Sequence, residues 1–362
     1  MIIAITVTLF FIIIRFTVTL FNFISNPKLT KVNRQYADLV SILIPARNEE
    51  DNILLLLKSI LQQDYTNYEV IVYDDESSDN TYSICADFAA RYPQFSVIKG
   101  GKLPAGWLGK NYACHQLANF ARGKYLLFLD ADEVINKGLI NSGVHRMQAY
   151  KLALLSLFPN QVMKTIGEKT TVPLLHYILL NLVPLRLVYL TKSAALAIAN
   201  GQFMLFDATV YRQKKWHEMV KDEIVEDAEI MKRVKQTGFK GELLLANGMI
   251  SCRMYKSYAG ALSGFSKNVL AVFNNNILAL LLYIILILGG PMLVAITLNF
   301  NLIFFMLGLI LLTRIMISLS AGQNAWMNIV FHPLQMVNMM IIAFLSIQKH
   351  LTNTNTWKGR SI

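Results

Sequence analysis

The strongest constraint on this chain is the apolar run at residues 2–24, which is interrupted by a single charge, Arg15. A helix needs about 20 apolar residues to cross a bilayer. The run is too long for the core of a signal peptide, and no small-residue cleavage site follows it. We therefore expect residues 1–26 to form a transmembrane anchor, in which Arg15 reaches the membrane surface or faces another helix.

Three more apolar segments, 277–298, 302–320 and 329–347, predict transmembrane helices in a C-terminal region 276–348, which is followed by a basic tail at 349–362. Positive residues mark the cytoplasmic side of a membrane protein. Three spans after a cytosolic domain would leave the basic tail outside. One of the three segments is therefore expected to be re-entrant or interfacial.

Lys28, Lys31 and Arg34 follow the first apolar run, and by the same rule they place residues 27–275 in the cytosol. The chain is thus predicted to be a multi-pass protein of the cell membrane. Only 16% of its residues are charged, against about a quarter in soluble domains, which supports the membrane segments. The net charge of +11 favours lipid head groups and a nucleotide diphosphate as partners over nucleic acid.

The region from residue 39 onward alternates short β-branched runs with helical stretches. Strands are predicted at 39–45, 68–74, 95–99, 124–130, 152–157 and 202–206, and helices at 49–63, 79–91, 110–122 and 226–236. This alternation is typical of an α/β fold with a mostly parallel sheet, in which ligands bind at the carboxyl ends of the strands. The apolar stretch 172–199 is either core or, as we expect, a segment lying on the membrane interface.

Asp130 and Asp132 end the fourth predicted strand. Burying a carboxylate costs free energy unless a nearby cation or hydrogen bonds offset that cost. Two carboxylates one residue apart can share a hard divalent ion that also binds a diphosphate. The alternative is a turn at the end of the strand, with the two aspartates as acidic caps. The acidic triplet Asp130-Ala131-Asp132 therefore indicates a metal site only together with the other motifs.

Asp74 and Asp75 follow the second strand, where a carboxylate can accept the N3–H of a uracil base. The residues after the first strand are expected to help form the same nucleoside pocket: Pro45, Ala46, Asn48 and Glu49. Glu49 also has a structural explanation, because acidic residues favour a helix start. Lys110, beside glycines at a helix start, is a candidate phosphate contact. Neither a GxGxxG nor a P-loop motif occurs.

Glu226 and Asp227 open a predicted helix, where acidic residues are common for structural reasons. The functional alternative is a general base that removes a proton from an acceptor hydroxyl. Two further residues are candidates for the acceptor side, Gln202 and His217, the latter in a polar loop at 214–218.

Taken in order, these motifs over residues 40–267 resemble the family 2 glycosyltransferases of GT-A fold. The resemblance implies that Asp75 meets the nucleobase and that Asp132, assisted by Asp130, binds Mg²⁺ or Mn²⁺. It also implies that Glu226 and Asp227 are the catalytic acidic pair, with Asp227 as the base. The implied donor is a nucleotide sugar, and a UDP-sugar is favoured.

A narrower likeness lies in residues 106–114 and 201–206, the acidic pair, and the tail 357–360. These segments resemble the carotenoid- and hopanoid-associated branch, the diaponeurosporenoate glycosyltransferase type, which implies a small lipid acceptor. The Gln-x-x-Arg-Trp motif of the processive members is absent, and Arg253 and Lys267 lie in that region as candidates for the acceptor side or for contacts with the diphosphate. Transfer of a single sugar is therefore predicted.

The resulting hypothesis is a membrane-bound inverting glycosyltransferase that acts on a lipid. One alternative is a polyprenyl-phosphate sugar synthase of the same fold, which an acid-labile product would distinguish. A second alternative, of another class, is a catalytically silent membrane scaffold, which would bind no nucleotide sugar. A glycoside hydrolase also uses two carboxylates, but it leaves the nucleoside motif unexplained.

Overall fold

The computed structural model describes residues 1–273, 275–352, 356–357 and 360–361. The chain divides into an α/β unit, Pro27–Asn160 with Leu185–Cys252, and a helical unit. The helical unit consists of Met1–Asn26, Gln161–Pro184 and Arg253–Ser361. This division differs from the domain boundaries expected from the sequence, because two segments within 27–275 belong to the helical unit.

The first ten strands of the chain form two sheets. In chain order they are β1 (Val40–Ala46), β2 (Tyr68–Asp74), β3 (Phe95–Lys99), β4 (Tyr125–Leu129), β5 (Glu133–Ile135), β6 (Leu154–Phe158), β7 (Asn160–Gln161), β8 (Phe203–Asp207), β9 (Gly241–Leu245) and β10 (Ile250–Cys252). The main sheet has the order β3-β2-β1-β4-β8-β6-β9, and the small sheet has the order β5-β10-β7. The neighbours in the main sheet are parallel except at β8, which is antiparallel to β4 and β6.

The helices of the chain follow in order. They are α1 (Ile2–Ser25), α2 (Ile53–Leu61), α3 (Thr81–Arg91), α4 (Gly109–Phe120), α5 (Leu139–Tyr150), α6 (Ile166–Thr171), α7 (Pro173–Leu182), α8 (Leu185–Leu190), α9 (Ala208–Lys214), α10 (Trp216–Met219), α11 (Glu226–Gln236), α12 (Tyr258–Val272), α13 (Ile277–Ile284), α14 (Gly290–Ile296), α15 (Phe300–Ala321), α16 (Ala325–Val330) and α17 (His332–Thr352). A 3₁₀ turn lies at Ala194–Leu196 and a π turn at Ile285–Gly289, and a short C-terminal hairpin pairs β11 (Thr356–Trp357) with β12 (Arg360–Ser361).

The central strands explain why the predicted α/β fold forms. β1 and β4 are buried along almost their whole length, as strands covered by helices on both faces must be, and such strands need the continuous apolar runs that the sequence shows. The register pairs Ala46 at the end of β1 with Asp74 at the end of β2. The carboxyl ends of these parallel strands therefore lie at one edge of the sheet, and the predicted fold class is confirmed.

Several predicted elements match the structure to the residue, among them β2, β3 and α11. The first helix of the α/β unit begins at Ile53 rather than at Glu49, because the backbone N–H of Glu49 donates to the Thr81 hydroxyl at 2.7 Å. That bond holds Glu49 in the loop after β1. The loop is longer than the sequence pattern indicates, and its polar groups belong to the candidate site.

In the helical unit, α1 has an inverted amphipathic pattern. Its buried residues are mostly polar and lie three or four apart: Thr8, Ile12, Arg15, Thr19 and Asn22. Its exposed face is apolar and includes Ile3, Val7, Phe10 and Ile14. A polar interior inside an apolar exterior is the arrangement of helices in lipid.

Three helical segments in the described part of the chain are long and apolar enough to cross a membrane: Ile2–Ser25, Ile277–Ile296 and Phe300–Ala321. They match the predicted anchor and the first two predicted C-terminal spans. The third predicted span, 329–347, falls on α16 and α17 and is not among them. The expectation that one of the three C-terminal segments is re-entrant or interfacial stays a prediction.

The apolar stretch 172–199 is divided between the two units. Within the helical unit, most of α7 is buried, and the side-chain amide of Asn22 on α1 donates to the carbonyls of Leu180 and Val183 at 2.9 and 2.8 Å. This part of the stretch therefore has the packing of a core helix. Within the α/β unit, α8 packs against β9. A location of the stretch at the membrane interface remains a prediction.

Candidate active site

The loops after β1 and β2 are held together by reciprocal hydrogen bonds. The N–H of Asn48 donates to the Ser77 hydroxyl at 3.0 Å, and the N–H of Ser78 donates to the Asn48 side-chain carbonyl at 2.9 Å. Asn48 has a left-handed φ of 53°, which asparagine tolerates better than most residues. The predicted nucleoside loops are thus a single fixed structure at the edge of the sheet.

Asp74 and Asp75 lie in this structure with 1% and 3% of their surface exposed. One oxygen of Asp74, Oδ2, accepts the N–H of Ser77 at 3.3 Å, while Oδ1 has no hydrogen-bond partner among the residues that the structure describes. Buried polar atoms are nearly always hydrogen-bonded in native proteins. Oδ1 of Asp74 is therefore suited to accept an N–H or O–H of a ligand.

The acidic residues after β4 form the densest negative cluster of the α/β unit. One ligand atom from each of Asp132, Glu133 and Cys252 lies within 4.8 Å of the others. Both carboxylate oxygens of Glu133 are buried without a hydrogen-bond partner in the described residues. Burial, together with the charges on Asp130 and Glu49, raises the pKa of Asp132 to about 6. Burial and the neighbouring aspartates raise the pKa of Glu133 well above its usual range.

These carboxylates fit a hard divalent cation, because Mg²⁺ and Mn²⁺ prefer oxygen ligands. A bound cation would give the buried Glu133 oxygens the partner that they lack. Cys252 has a different role. Burial raises the pKa of its thiol well above the usual range, so the thiol stays neutral. The neutral thiol lies 3.4 Å from Asp132 Oδ2 and donates to it. Asp132 and Glu133 are therefore the carboxylates of this cluster that could hold the metal, and Asp130 stays a predicted ligand.

Lys110 connects this cluster to the second acidic motif. Its Nζ lies 3.0 Å from Asp130 Oδ1 and 3.1 Å from Glu226 Oε1. The two carboxylates raise the pKa of Lys110 against the effect of its burial, so it remains charged. Lys110 was expected to meet a phosphate, and in this structure its ammonium binds two carboxylates.

Asp227 is held by backbone donors on both oxygens. Its Oδ2 accepts the N–H of Gly201 at 2.8 Å, and its Oδ1 accepts the N–H of Ala228 at 2.7 Å. Burial and the charge of Glu226 raise the pKa of Asp227 to about 7, although Lys110 and the two N–H groups act in the opposite direction. A carboxylate with this pKa can change its protonation state at neutral pH, as a general base must.

The segment before β8 brings these groups together. The carbonyl of Gln202 accepts the N–H of Asp130 at 3.2 Å. A Cβ atom on Gly201 would lie 3.1 Å from both Glu226 Oε1 and Lys110 Nζ, closer than a side chain can be placed without a shift. Gly201 is therefore the residue that lets the backbone pass between the two acidic motifs.

The structure contradicts the expectation that His217 lies in an open polar loop. His217 is 2% exposed and packs against Phe128, Phe206 and Tyr211, with its Nδ1 2.6 Å from the Tyr211 hydroxyl. Burial lowers its pKa to about 3, so the ring is neutral. The lysines and glutamate around it in the sequence did not show that its own side chain turns into an aromatic cluster.

Arg253 and Lys267, the candidate diphosphate contacts, belong to the helical unit. The guanidinium of Arg253 binds Glu168 at 2.7 Å. Lys267 lies on α12, and burial lowers its pKa. Their proposed contact with a donor stays a prediction.

Sequence reasoning did not assign Glu133, Cys252, Gly201 or Asn111 to the site. The side-chain amide of Asn111 donates to the carbonyls of Val220 and Glu223 at 2.8 and 3.0 Å and so fixes the segment before α11. Only Glu133 had a clear signal, because it directly follows the acidic triplet. The others act through backbone groups or through contacts between residues distant in the chain.

Comparison with known proteins found a family model and several relatives that resemble this domain. Residues 41–213 match the family model described as Glycosyl transferase family 2. The chain is 28% identical over 237 residues to a 4,4'-diaponeurosporenoate glycosyltransferase of Staphylococcus haemolyticus, covering 64% of this chain and 60% of that protein. It is 34% identical over 131 residues to the protein of the same name from Staphylococcus aureus strain USA300, covering 36% of this chain and 34% of that one.

The chain thus spans about a third to three fifths of the length of these curated relatives. Among solved structures, a mannosyltransferase from Pyrobaculum calidifontis in complex with GDP-Man and Mn²⁺ superposes with a TM-score of 0.57. The match covers 97% of this chain and all of that one at 14% sequence identity, and it supports the fold alone. The expected GT-A fold and the resemblance to the carotenoid-associated branch are confirmed.

Proposed function

We propose that this chain, which belongs to glycosyltransferase family 2 through residues 41–213, transfers one sugar from a nucleotide diphosphate sugar to a lipid acceptor at a membrane. The observation that carries the proposal is the double ion pair of Lys110 with Asp130 and Glu226. It joins the metal-suited acidic cluster to the acidic pair that contains Asp227. The proposed donor-binding group and the proposed base would therefore share one continuous site.

The donor end is proposed to lie at the loops after β1 and β2. The partnerless Oδ1 of Asp74 and the adjacent Asp75 supply acceptors for a base such as uracil, which presents an N–H. Pro45, Ala46 and Glu49 would form the wall beside them. A UDP-sugar is the proposed donor on these grounds.

The diphosphate end is proposed to lie at Asp130, Asp132 and Glu133. Mg²⁺ or Mn²⁺, when bound, would offset the charge of the departing diphosphate. These carboxylates would hold the cation, and Lys110 lies beside them, with its Nζ 3.0 Å from Asp130 Oδ1. The ammonium also forms an ion pair with Glu226 beside the proposed reacting centre.

Asp227 is proposed to act at the acceptor. As a base with a pKa of about 7, it would take the proton of an acceptor hydroxyl while the oxygen attacks the anomeric carbon in line, which inverts the configuration. The curated relatives are named for a carboxylate, diaponeurosporenoate. Such an acceptor is already ionised at neutral pH, and Asp227 would then orient it instead.

The membrane arrangement is also a proposal. With α1 and two later helical segments as the spans, the chain returns to the side from which the catalytic region starts. Lys28 and Lys31 on one end and Lys349 on the other then share the cytosolic side, as the distribution of positive charge favours.

The test is to incubate membranes that contain the wild type or single variants with a panel of labelled nucleotide sugars, and then to analyse the extracted lipids. Asp132→Ala and Asp227→Asn should lose labelled lipid, while Asp87→Asn, an exposed carboxylate on α3, should keep it. Full labelling by Asp132→Ala would overturn the metal role. An acid-labile labelled product would reassign the acceptor to a lipid phosphate.

A further inference from the structure

The helical unit carries almost no negative charge. Its three segments contain ten lysine and arginine residues but a single acidic side chain, Glu168. That carboxylate is already bound by Arg253, at 2.7 Å. No acidic side chain of this unit is left to neutralise any other buried cation.

Among the described residues of this unit, two cations are buried in this way, Arg15 on α1 and Arg314 on α15. They are 6% and 1% exposed. The Nε and Nη2 atoms of each are buried without a hydrogen-bond partner in the described part of the chain. Neither arginine forms an ion pair with any residue that the structure describes.

Both guanidinium groups lie against the same aromatic ring. The central carbon of Arg15 is 4.9 Å from the ring centre of Tyr177, and that of Arg314 is 4.4 Å from it. A cation–π contact stabilises a cation by less free energy than burying an unpaired ion costs. The Tyr177 ring therefore contacts both cations, but these contacts do not offset the free-energy cost of burying them.

Other partnerless polar groups are found in the same helices. Both polar side-chain atoms of Asn181, one turn beyond Tyr177 on α7, lack a partner among described residues, as does the hydroxyl of Tyr283 on α13. Tyr283 is near Arg15, whose central carbon lies 5.8 Å from its ring centre. The amide nitrogen of Asn181 and the hydroxyl of Tyr283 are donors of the kind that complete an oxyanion site.

We propose that Arg15 and Arg314 form a binding site for the acidic head, carboxylate or phosphate, of a membrane lipid. The planar guanidinium matches both oxyanions with two parallel hydrogen bonds. The outer faces of α1 and α15 are apolar, so a chain-bearing anion reaches the site from the bilayer with its tail along those faces. The proposal concerns binding within the helical unit and stands whether or not the α/β unit transfers a sugar.

The test uses the full-length protein purified in a neutral detergent. Palmitate and hexadecyl phosphate should bind saturably and raise Tm, because a ligand that binds only the folded state stabilises it. Hexadecanol, which has the same chain without the charge, should do neither. Acetate and inorganic phosphate, which have the charge without the chain, should bind at least about tenfold more weakly.

The double variant Arg15→Gln/Arg314→Gln should lose affinity for palmitate and hexadecyl phosphate by about tenfold or more, as expected when hydrogen bonds to charged groups are removed. The exposed Lys164→Gln, which removes a positive charge elsewhere in the unit, should bind like the wild type. If the double variant does not fold, Arg15→Lys keeps the charge but removes the bidentate geometry and should still weaken binding.

Equal binding of hexadecanol and palmitate would overturn the site, as would unchanged affinity in the arginine variants. Binding of inorganic phosphate without binding of either charged lipid would overturn the lipid as the source of the anion. Loss of binding in the arginine variants together with normal sugar transfer would support the proposal as a function separate from catalysis.

Discussion

Lys110 Nζ lies 3.1 Å from Glu226 Oε1, across 116 positions of sequence. The same nitrogen lies 3.0 Å from Asp130, so one ammonium holds two acidic motifs that would repel each other without it. Its side chain is about three-quarters buried, and charges are stronger there than in water. The geometry of the proposed active site depends on this cation.

Lys110→Met should therefore reduce kcat/KM by about 100-fold or more, the size of effect seen when one electrostatic contact at a reacting centre is removed. The positive charge of Lys110 also lowers the pKa of Asp227. Its loss should move the acid limb of the pH–rate profile to higher pH. Lys102→Met, which removes an exposed lysine, is the control and should change neither quantity.

The pH dependence of kcat/KM should report Asp227 directly. Burial and Glu226 raise its pKa to about 7, and a general base is active only when it is ionised. With a hydroxyl acceptor, kcat/KM should fall about tenfold for each pH unit below 7 and level off above it. Asp227→Asn should remove this limb together with about 99% of the activity. A flat profile in a fully active wild type would contradict the role of base.

Gly201→Ala should impair catalysis more than stability. The new Cβ would lie 3.1 Å from Glu226 Oε1 and from Lys110 Nζ, so these side chains must shift from the positions that join the two acidic motifs. We expect kcat/KM to fall more than about tenfold and the free energy of unfolding to fall by about 1–3 kcal/mol. Gly101→Ala is the matched control, because nothing lies within 4 Å of its added Cβ.

Glu168 makes the stability of the helical unit sensitive to acid. Burial alone would raise its pKa, but the hydrogen bonds from Arg253 and from the N–H of Lys164 outweigh burial and lower the pKa to about 2. The unfolded-state pKa is higher, about 4.3. The stabilisation is therefore complete above pH 5 and is lost as the pH falls from about 4 towards 2.

Thermal unfolding at pH 7 and at pH 3 checks this relationship. Arg253→Met should lower Tm by several degrees at pH 7, because it leaves a buried carboxylate without its cation. The difference between the variant and the wild type should shrink at pH 3. A difference that is independent of pH would mean that the ion pair is not its cause.

The sequence was most informative where one local property decides the structure. β2 was predicted to the residue because a β-branched run buried on both faces has few other conformations. The ends of loops were less well predicted, since the position of Glu49 depends on a hydrogen bond to Thr81 at the start of α3. His217 was misplaced for the same reason, because its partner Tyr211 and the rings of Phe128 and Phe206 are brought to it by the fold.

The acidic motifs of the site were recognised from their order in the chain, but their connections were not. Lys110 was predicted to meet a phosphate because it follows glycines at a helix start. Its two carboxylate partners come from the end of β4 and the start of α11, and no local pattern contains that information. The role of Gly201 likewise becomes apparent only when the side chains that surround it are known.

Removal of divalent cations should abolish sugar transfer, and Mg²⁺ or Mn²⁺ should restore it. Glu133→Gln separates the proposed metal site from a merely acidic turn, because both oxygens of Glu133 are buried without a partner in the described residues. If the cation is that partner, the amide should weaken Mn²⁺ binding, measured by calorimetry, by about tenfold or more, since a neutral ligand replaces a charged one. If Glu133 belongs only to a turn, the neutral amide should instead stabilise the metal-free protein and leave Mn²⁺ affinity unchanged. Asp87→Asn, on the exposed face of α3, should behave like the wild type in both measurements.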